Sequence, residues 1–146
     1  MRWFQFEMQP KSVILKPSAG QQLTSRGFYE LRGIAWSGGG KVRRVEITTD
    51  GGRTWKDATI QEPVHSKAIT RFVFPWTWNG EDVTLASRCT DERGTMQPTT
   101  AEMEKLWGVQ PGYFREPVGG GVWRFNVIQP WKIDRQGRVT NAIFAI

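Results

Sequence analysis

Apolar and polar residues alternate with a period of two through most of this chain, as in strands with one buried and one solvated face. Tyr29 and Leu31 alternate with Glu30 and Arg32. Val45 and Ile47 alternate with Arg44 and Glu46, and Val83, Leu85, Ser87 and Cys89 with Thr84, Ala86 and Arg88. This spacing predicts strands over 13–15, 28–35, the mid-forties, 69–78 and 83–90. Between 69 and 78, Phe72, Phe74, Trp76 and Trp78 share one face. Pro75 removes a ladder donor there, which predicts an edge strand or a bulge. Asp50-Gly51-Gly52 is hairpin chemistry, because positive φ costs little for Gly and is tolerable for Asp; Trp55 then opens the return strand. A closing hairpin, 123–133 with 139–144, turns across Asp134–Gly137. The one helix expected is 99–107, with Thr99 and Glu102 at capping-box spacing, and a Gly/Pro-rich loop follows over 108–121. Seven or eight short strands with frequent turns predict an all-β protein: an immunoglobulin-like (E-set type) antiparallel β-sandwich with one short helix.

At 146 residues the chain fits one domain that can bury a core without metal or disulfide staples. Its hydrophobic content is low at 38%, but eight Trp and eight Phe bring large buried areas. Residues 1–10 end in Pro and open with Trp3, Phe4 and Phe6, which predicts a linker or interface arm ahead of a sandwich over 11–146. No apolar run reaches membrane-span length, and no signal peptide is visible at Met1. The net charge of +6 is scattered among acids, without the basic cluster that nucleic acid binding requires.

Little catalytic chemistry can be assembled. His65 is the one imidazole and lies in a loop beside Pro63, which suits a surface histidine. Asp91 and Glu92 precede Gly94 and fit an Asx-type turn. Cys89 excludes an internal disulfide, and its place mid-strand with Val83 and Leu85 suits a small buried hydrophobe. The turn Ser37–Gly40 joins two strands and opens no helix, so it is a structural turn, not a phosphate cradle. Trp36 and Trp55 are expected in the core or at its edge. Exposed Trp in β-sandwiches also bind sugars, so a free-standing carbohydrate-binding or adhesion module is the alternative function.

Five blocks in order carry a family resemblance. They are 11–14 with Pro17, 33–55 (GIAWSGGGKVRRVEITTDGGRTW), 67–72 leading to Trp76-Thr77-Trp78, 87–94 with Gln97-Pro98-Thr99, and 126–133 (NVIQPWKI). Together they span about 11 to 141 and resemble the C-terminal dimerisation domain of molybdenum (molybdopterin) sulfite oxidases. The nearest likeness is to bacterial members, including the sulfane dehydrogenase subunit. The resemblance implies a homodimer that buttresses a separate molybdopterin catalytic domain. It also implies a periplasmic parent enzyme that oxidises a sulfur compound and passes electrons to a c-type cytochrome. No catalysis and no bound cofactor or metal are implied for this chain, since the family's molybdenum-ligating cysteine belongs to the catalytic domain and not to Cys89. Family members direct an Arg, placed before a Gly late in the domain, at the anion pocket. Trp107-Gly108 stands where bacterial relatives show that pair, and Arg115 is the nearest substitute, with a solvated loop arginine as the alternative.

Overall fold

The computed structural model describes residues 7–115 and 126–146, so the expected arm residues Trp3, Phe4 and Phe6 lie outside the described residues. Strands β1 (Lys11–Lys16), β2 (Gly27–Trp36), β6 (Thr70–Trp78) and β5 (Thr59–Ile60) form one antiparallel sheet in the order β1-β2-β6-β5. The second sheet runs β4 (Lys56–Asp57), β3 (Val42–Thr48), β7 (Val83–Asp91), β8 (Trp131–Ile133), β9 (Val139–Asn141). The two pack as an immunoglobulin-like sandwich. Its core takes Ile14, Leu31 and Phe72 from the first sheet and Val45, Ile47, Leu85 and Ile133 from the second.

The expected alternation holds in β2 and β6. Leu31, Phe72, Trp76 and Trp78 are buried, whereas Glu30, Arg32 and Arg71 are exposed. Gly33 faces inward between Leu31 and Ala35, and the Phe72 ring occupies the space a side chain there would need. Pro75 pairs with Glu30 across β2, but β5 reaches only Phe72 and Val73, so the strand is locally an edge at Pro75. The strand β5 itself escapes the sequence reading, being too short to show a period.

Glu46 is a correction. Alternation placed it on the solvated face, yet it is buried. Arg88 lies beside it in register and binds both carboxylate oxygens at 2.9 and 3.2 Å, and Arg44 adds a contact of 3.3 Å. The Arg88 guanidinium also stacks 4.3 Å from the Trp55 ring centroid. Paired in this way, a buried carboxylate keeps its charge compensated.

Helix α1 (Thr100–Trp107) starts at the expected capping box: Glu102 N–H donates to Thr99 Oγ1, and Thr99 N–H donates back to Glu102. It stops at Gly108, whose left-handed backbone supplies the usual C-terminal cap. The closing hairpin is shorter than expected, with only three residues in each strand.

Two polar clusters fasten the loops. The Asp91 carboxylate is buried; it accepts from Ser37 Oγ at 2.8 Å and from the Arg93 and Thr95 N–H groups, so the Asx turn read from the sequence is present. The glycine turn beside it holds the incoming chain: Gly38 N–H donates to Met8 C=O at 2.7 Å, and Arg93 pairs with Glu7. The other cluster centres on Gln97. This fully buried side chain accepts from Ser12 N–H and Oγ and donates to the Ser12 and Val127 carbonyls.

An alanine at Gly33 would drive its Cβ into the Phe72 ring and the Val13 carbonyl, and backbone cannot give way cheaply. Gly33→Ala is therefore expected to cost at least about 1–3 kcal/mol in chemical denaturation, the range for overpacking a tight core. A second expectation concerns Asp50, whose carboxylate is held at about 2, below the usual 3.8, by hydrogen bonds first from Thr54 and also from Thr48. A carboxylate with a depressed folded pKa stabilises above its unfolded value, and that contribution is lost as the pH falls toward the folded value. The difference in melting temperature between wild type and Asp50→Ala should accordingly shrink between pH 4 and pH 2.

Candidate functional site

The chemistry-bearing residues do not converge. His65 is exposed in the loop after Pro63, as expected of a surface histidine. Cys89 is buried, and burial, reinforced by the nearby Asp91 charge, pushes its thiol up to about 12. It packs in the core with Val45 and Leu85, the place of a small buried hydrophobe. Among the described residues no three of His, Cys, Asp and Glu gather as a ligand set. Lys11 is the perturbed cation: burial lowers it to about 8, and its ammonium donates to Val127 C=O at 2.7 Å. That bond ties β1 to the segment before β8. Arg115 ends a short 3-10 turn, Tyr113–Arg115, and its side chain lies outside the described residues.

The tryptophans do not form a sugar platform among the described residues. Trp76 and Trp78 are buried in the core, and Trp131 is half-buried against it. Trp36 and Trp55, expected in the core or at its edge, are half-buried on outer faces instead, Trp55 beneath the Arg88 guanidinium and Trp36 on the same side of β2 as Ile34. Trp107 is the most exposed of them and packs edge-on against Phe114, centroids 5.4 Å apart.

What the fold does present is surface, and its parts differ. The outer face of the five-stranded sheet is closed on itself by Arg88, Glu46, Arg44 and Asp57, with Trp55 under the guanidinium. Its edge strands β4 and β9 have two and three residues. In the four-stranded sheet, β5 is a two-residue edge. The other edge, β1, is long enough to pair with a foreign strand. Three of its outward groups are already taken, however: Gln97 holds the Ser12 N–H and C=O, and the Trp131 indole donates to Ile14 C=O at 2.8 Å. Side chains here do what proteins commonly do to blunt a sheet edge.

The outer face of the four-stranded sheet is different. Val13, Ile34 and Val73 are half-buried there: Val13 and Ile34 pair across β1 and β2, and Val73 lies diagonally beyond on β6, level with Arg32. Leu15 is the extra residue of a bulge between Ile14 and Lys16 and is 48% exposed. Glu30, Arg32 and Arg71 line a shallow groove together with Leu15, Ile34 and Val73, and Arg32 stands in its middle, level with Lys16 on β1 and Val73 on β6. The strand β2 thus carries apolar residues on both faces at its C-terminal half, a signal that the sequence already held in Ile34 and Trp36. Outward apolar side chains grouped on one sheet face mark a candidate protein-binding surface.

Comparison with known proteins accords with an interaction domain. Residues 2–119 match the family model described as the Mo-co oxidoreductase dimerisation domain. The chain is 38% identical over 121 residues to an NADH nitrate reductase of Solanum lycopersicum, a match covering 70% of this chain and 12% of that protein. A nitrate reductase of Cichorium intybus is 42% identical over 78 residues, 49% of this chain and 8% of the relative. Among solved structures, the sulfane dehydrogenase SoxCD of Paracoccus pantotrophus superposes with a TM-score of 0.81 at 34% identity, over 92% of this chain and 32% of that one. The chain therefore spans 8–12% of these nitrate reductases and 32% of the sulfane dehydrogenase chain, and it belongs to the Mo-co oxidoreductase dimerisation domain family.

Proposed function

We propose that this domain joins two copies of a molybdopterin-dependent oxidoreductase into a homodimer and supports the catalytic domain of each. The observation that carries the reading is the contrast between surfaces: one sheet is closed by its own ion pairs, three edges are short, the fourth is capped by side chains, and one apolar face stays open. On this reading the cofactor and its chemistry belong to the parent's catalytic domain. The parent reaction we assign is oxidation of a sulfur compound, of the sulfite or sulfane type, with a c-type cytochrome as electron acceptor in the periplasm. The choice of sulfur over nitrate follows the five sequence blocks, which resemble the bacterial sulfane dehydrogenase subunit, and the superposition on a sulfane dehydrogenase with a TM-score of 0.81 supports it. Arg115 is our candidate for a contact with the substrate anion, because a guanidinium offers permanent charge and several donors to a tetrahedral oxyanion.

Self-association is the testable core of this reading. A specific interface buries roughly 1,200–2,000 Å² in total, and a two-fold one closes at two copies. Sedimentation equilibrium on the chain at micromolar concentration should give a dimer that dissociates on dilution. A strict monomer at every concentration would overturn the reading.

A further inference from the structure

We infer that the groove on the outer surface of the four-stranded sheet docks an acidic segment of another protein, one that carries carboxylates between apolar side chains. The inference goes beyond the homodimer reading and does not rest on it: it assigns a second partner, of different chemistry, to one named surface.

The strand register places cations on three neighbouring strands. The bulge at Leu15 brings Lys16 level with Arg32, so two positive residues stand directly opposite each other across β1 and β2. Arg71 faces Ile34 from β6, two residues from the Val73 that is level with Arg32. Glu30 is the one carboxylate lining the groove, and its Oε1 is engaged by Arg32 Nε at 2.7 Å. Lys16 and Arg71 make no ion pair among the described residues. Like charges directly opposite on a sheet cost stability, so the groove holds a surplus of positive charge that an incoming carboxylate relieves. On the outer face of the other sheet no such surplus stands: Arg44 and Arg88 are met there by Asp57 and Glu46.

The same groove is apolar between its charges. Leu15, Ile34 and Val73 line it beside the cations, and Leu15 is 48% exposed. Lys16, Glu30 and Arg32 also line the neighbouring groove, where Phe28 is 70% exposed, so the surface continues along β2. Apolar contacts at an interface supply most of the affinity, while charges set orientation and the rate of encounter. The occupant must therefore offer both kinds of group. A protein segment with acids set between aliphatic side chains does so, whereas a phosphate backbone brings charge without an aliphatic anchor. A second copy of this chain does not fit, because a two-fold axis through the middle of the groove sets Arg32 against Arg32. Side chains carry the recognition, since Gln97 and Trp131 already occupy the Ser12 and Ile14 groups that an added strand would need at the β1 edge.

Fluorescence anisotropy on the full chain tests this with a short labelled peptide that alternates glutamate with leucine. Peptides of the same length alternating lysine with leucine and glutamate with serine are the controls, together with a labelled oligothymidylate. The glutamate–leucine peptide should bind, and more tightly than any control. Arg32→Glu and Arg71→Glu should each weaken it about 5-fold or more, and Leu15→Ser should weaken it as well. Lys105→Glu, on the exposed side of α1, should leave it unchanged. All these positions are outward, so every variant should melt close to wild type. No binding of the glutamate–leucine peptide, binding that survives both arginine exchanges, or an equal or tighter complex with any control would overturn the inference. Sedimentation equilibrium on the same variants keeps the two readings apart. A dimer that persists while peptide binding is absent overturns this inference alone, and a monomer that binds the peptide overturns the homodimer reading alone.

Discussion

The amide of Gln97 has two donors and two acceptor sites, and the fold uses all four. It is buried where the first strand, the segment before α1 and the segment before β8 come together, three pieces far apart in the chain. Ser12 Oγ also reaches Ser87 Oγ at 2.9 Å, so the same cluster spans from one sheet to the other. A buried polar group without partners costs about 1–3 kcal/mol, and removing Gln97 would orphan several at once. The hydrophobic core holds the layers together without direction, whereas this network sets how β1 lies over β7. It also gives β1 the side-chain equivalent of a neighbouring strand. One interaction therefore fixes the geometry of the sandwich and closes the edge by which it could grow into a longer sheet.

From that closure the functional surface follows. Once β1 is capped and the remaining edges are two or three residues long, the molecule can meet a partner only through a face or a loop. The five-stranded sheet spends its outward charges on itself, in the Arg88–Glu46–Arg44–Asp57 chain over Trp55. The four-stranded sheet keeps Val13, Ile34 and Val73 outward. At the far end of the domain, the glycine turn, with Arg93 on Glu7, fixes the direction in which residues 7–10 arrive. A domain built in this way suits a platform: rigid inside, with one face open and its incoming chain held in place.

Much of this was legible in the sequence because it rests on short-range rules. The alternations of β2 and β6, the capping box at Thr99 and the Asx turn at Asp91 depend on neighbours within four residues. Glu46 was not legible, because the residue that reverses its expected exposure, Arg88, is 42 positions away. Gln97 gave no signal for the same reason: its partners are 85 and 30 residues distant, and a glutamine before a proline in a loop reads as solvated. The strand β5 has two residues and is defined only by the register of β6. Arg115 and the aromatic arm were singled out by resemblance and by composition, and neither depends on a contact that the described residues display.

The central claim is that the domain pairs with a second copy of itself through outward side chains. Methyl-labelled protein followed by solution NMR from millimolar to micromolar concentration tests it most directly. The account predicts shifts on dilution for one contiguous group of outward methyls, with those of Val45, Ile47 and Leu85 in the core unchanged. No concentration dependence at any methyl would contradict it.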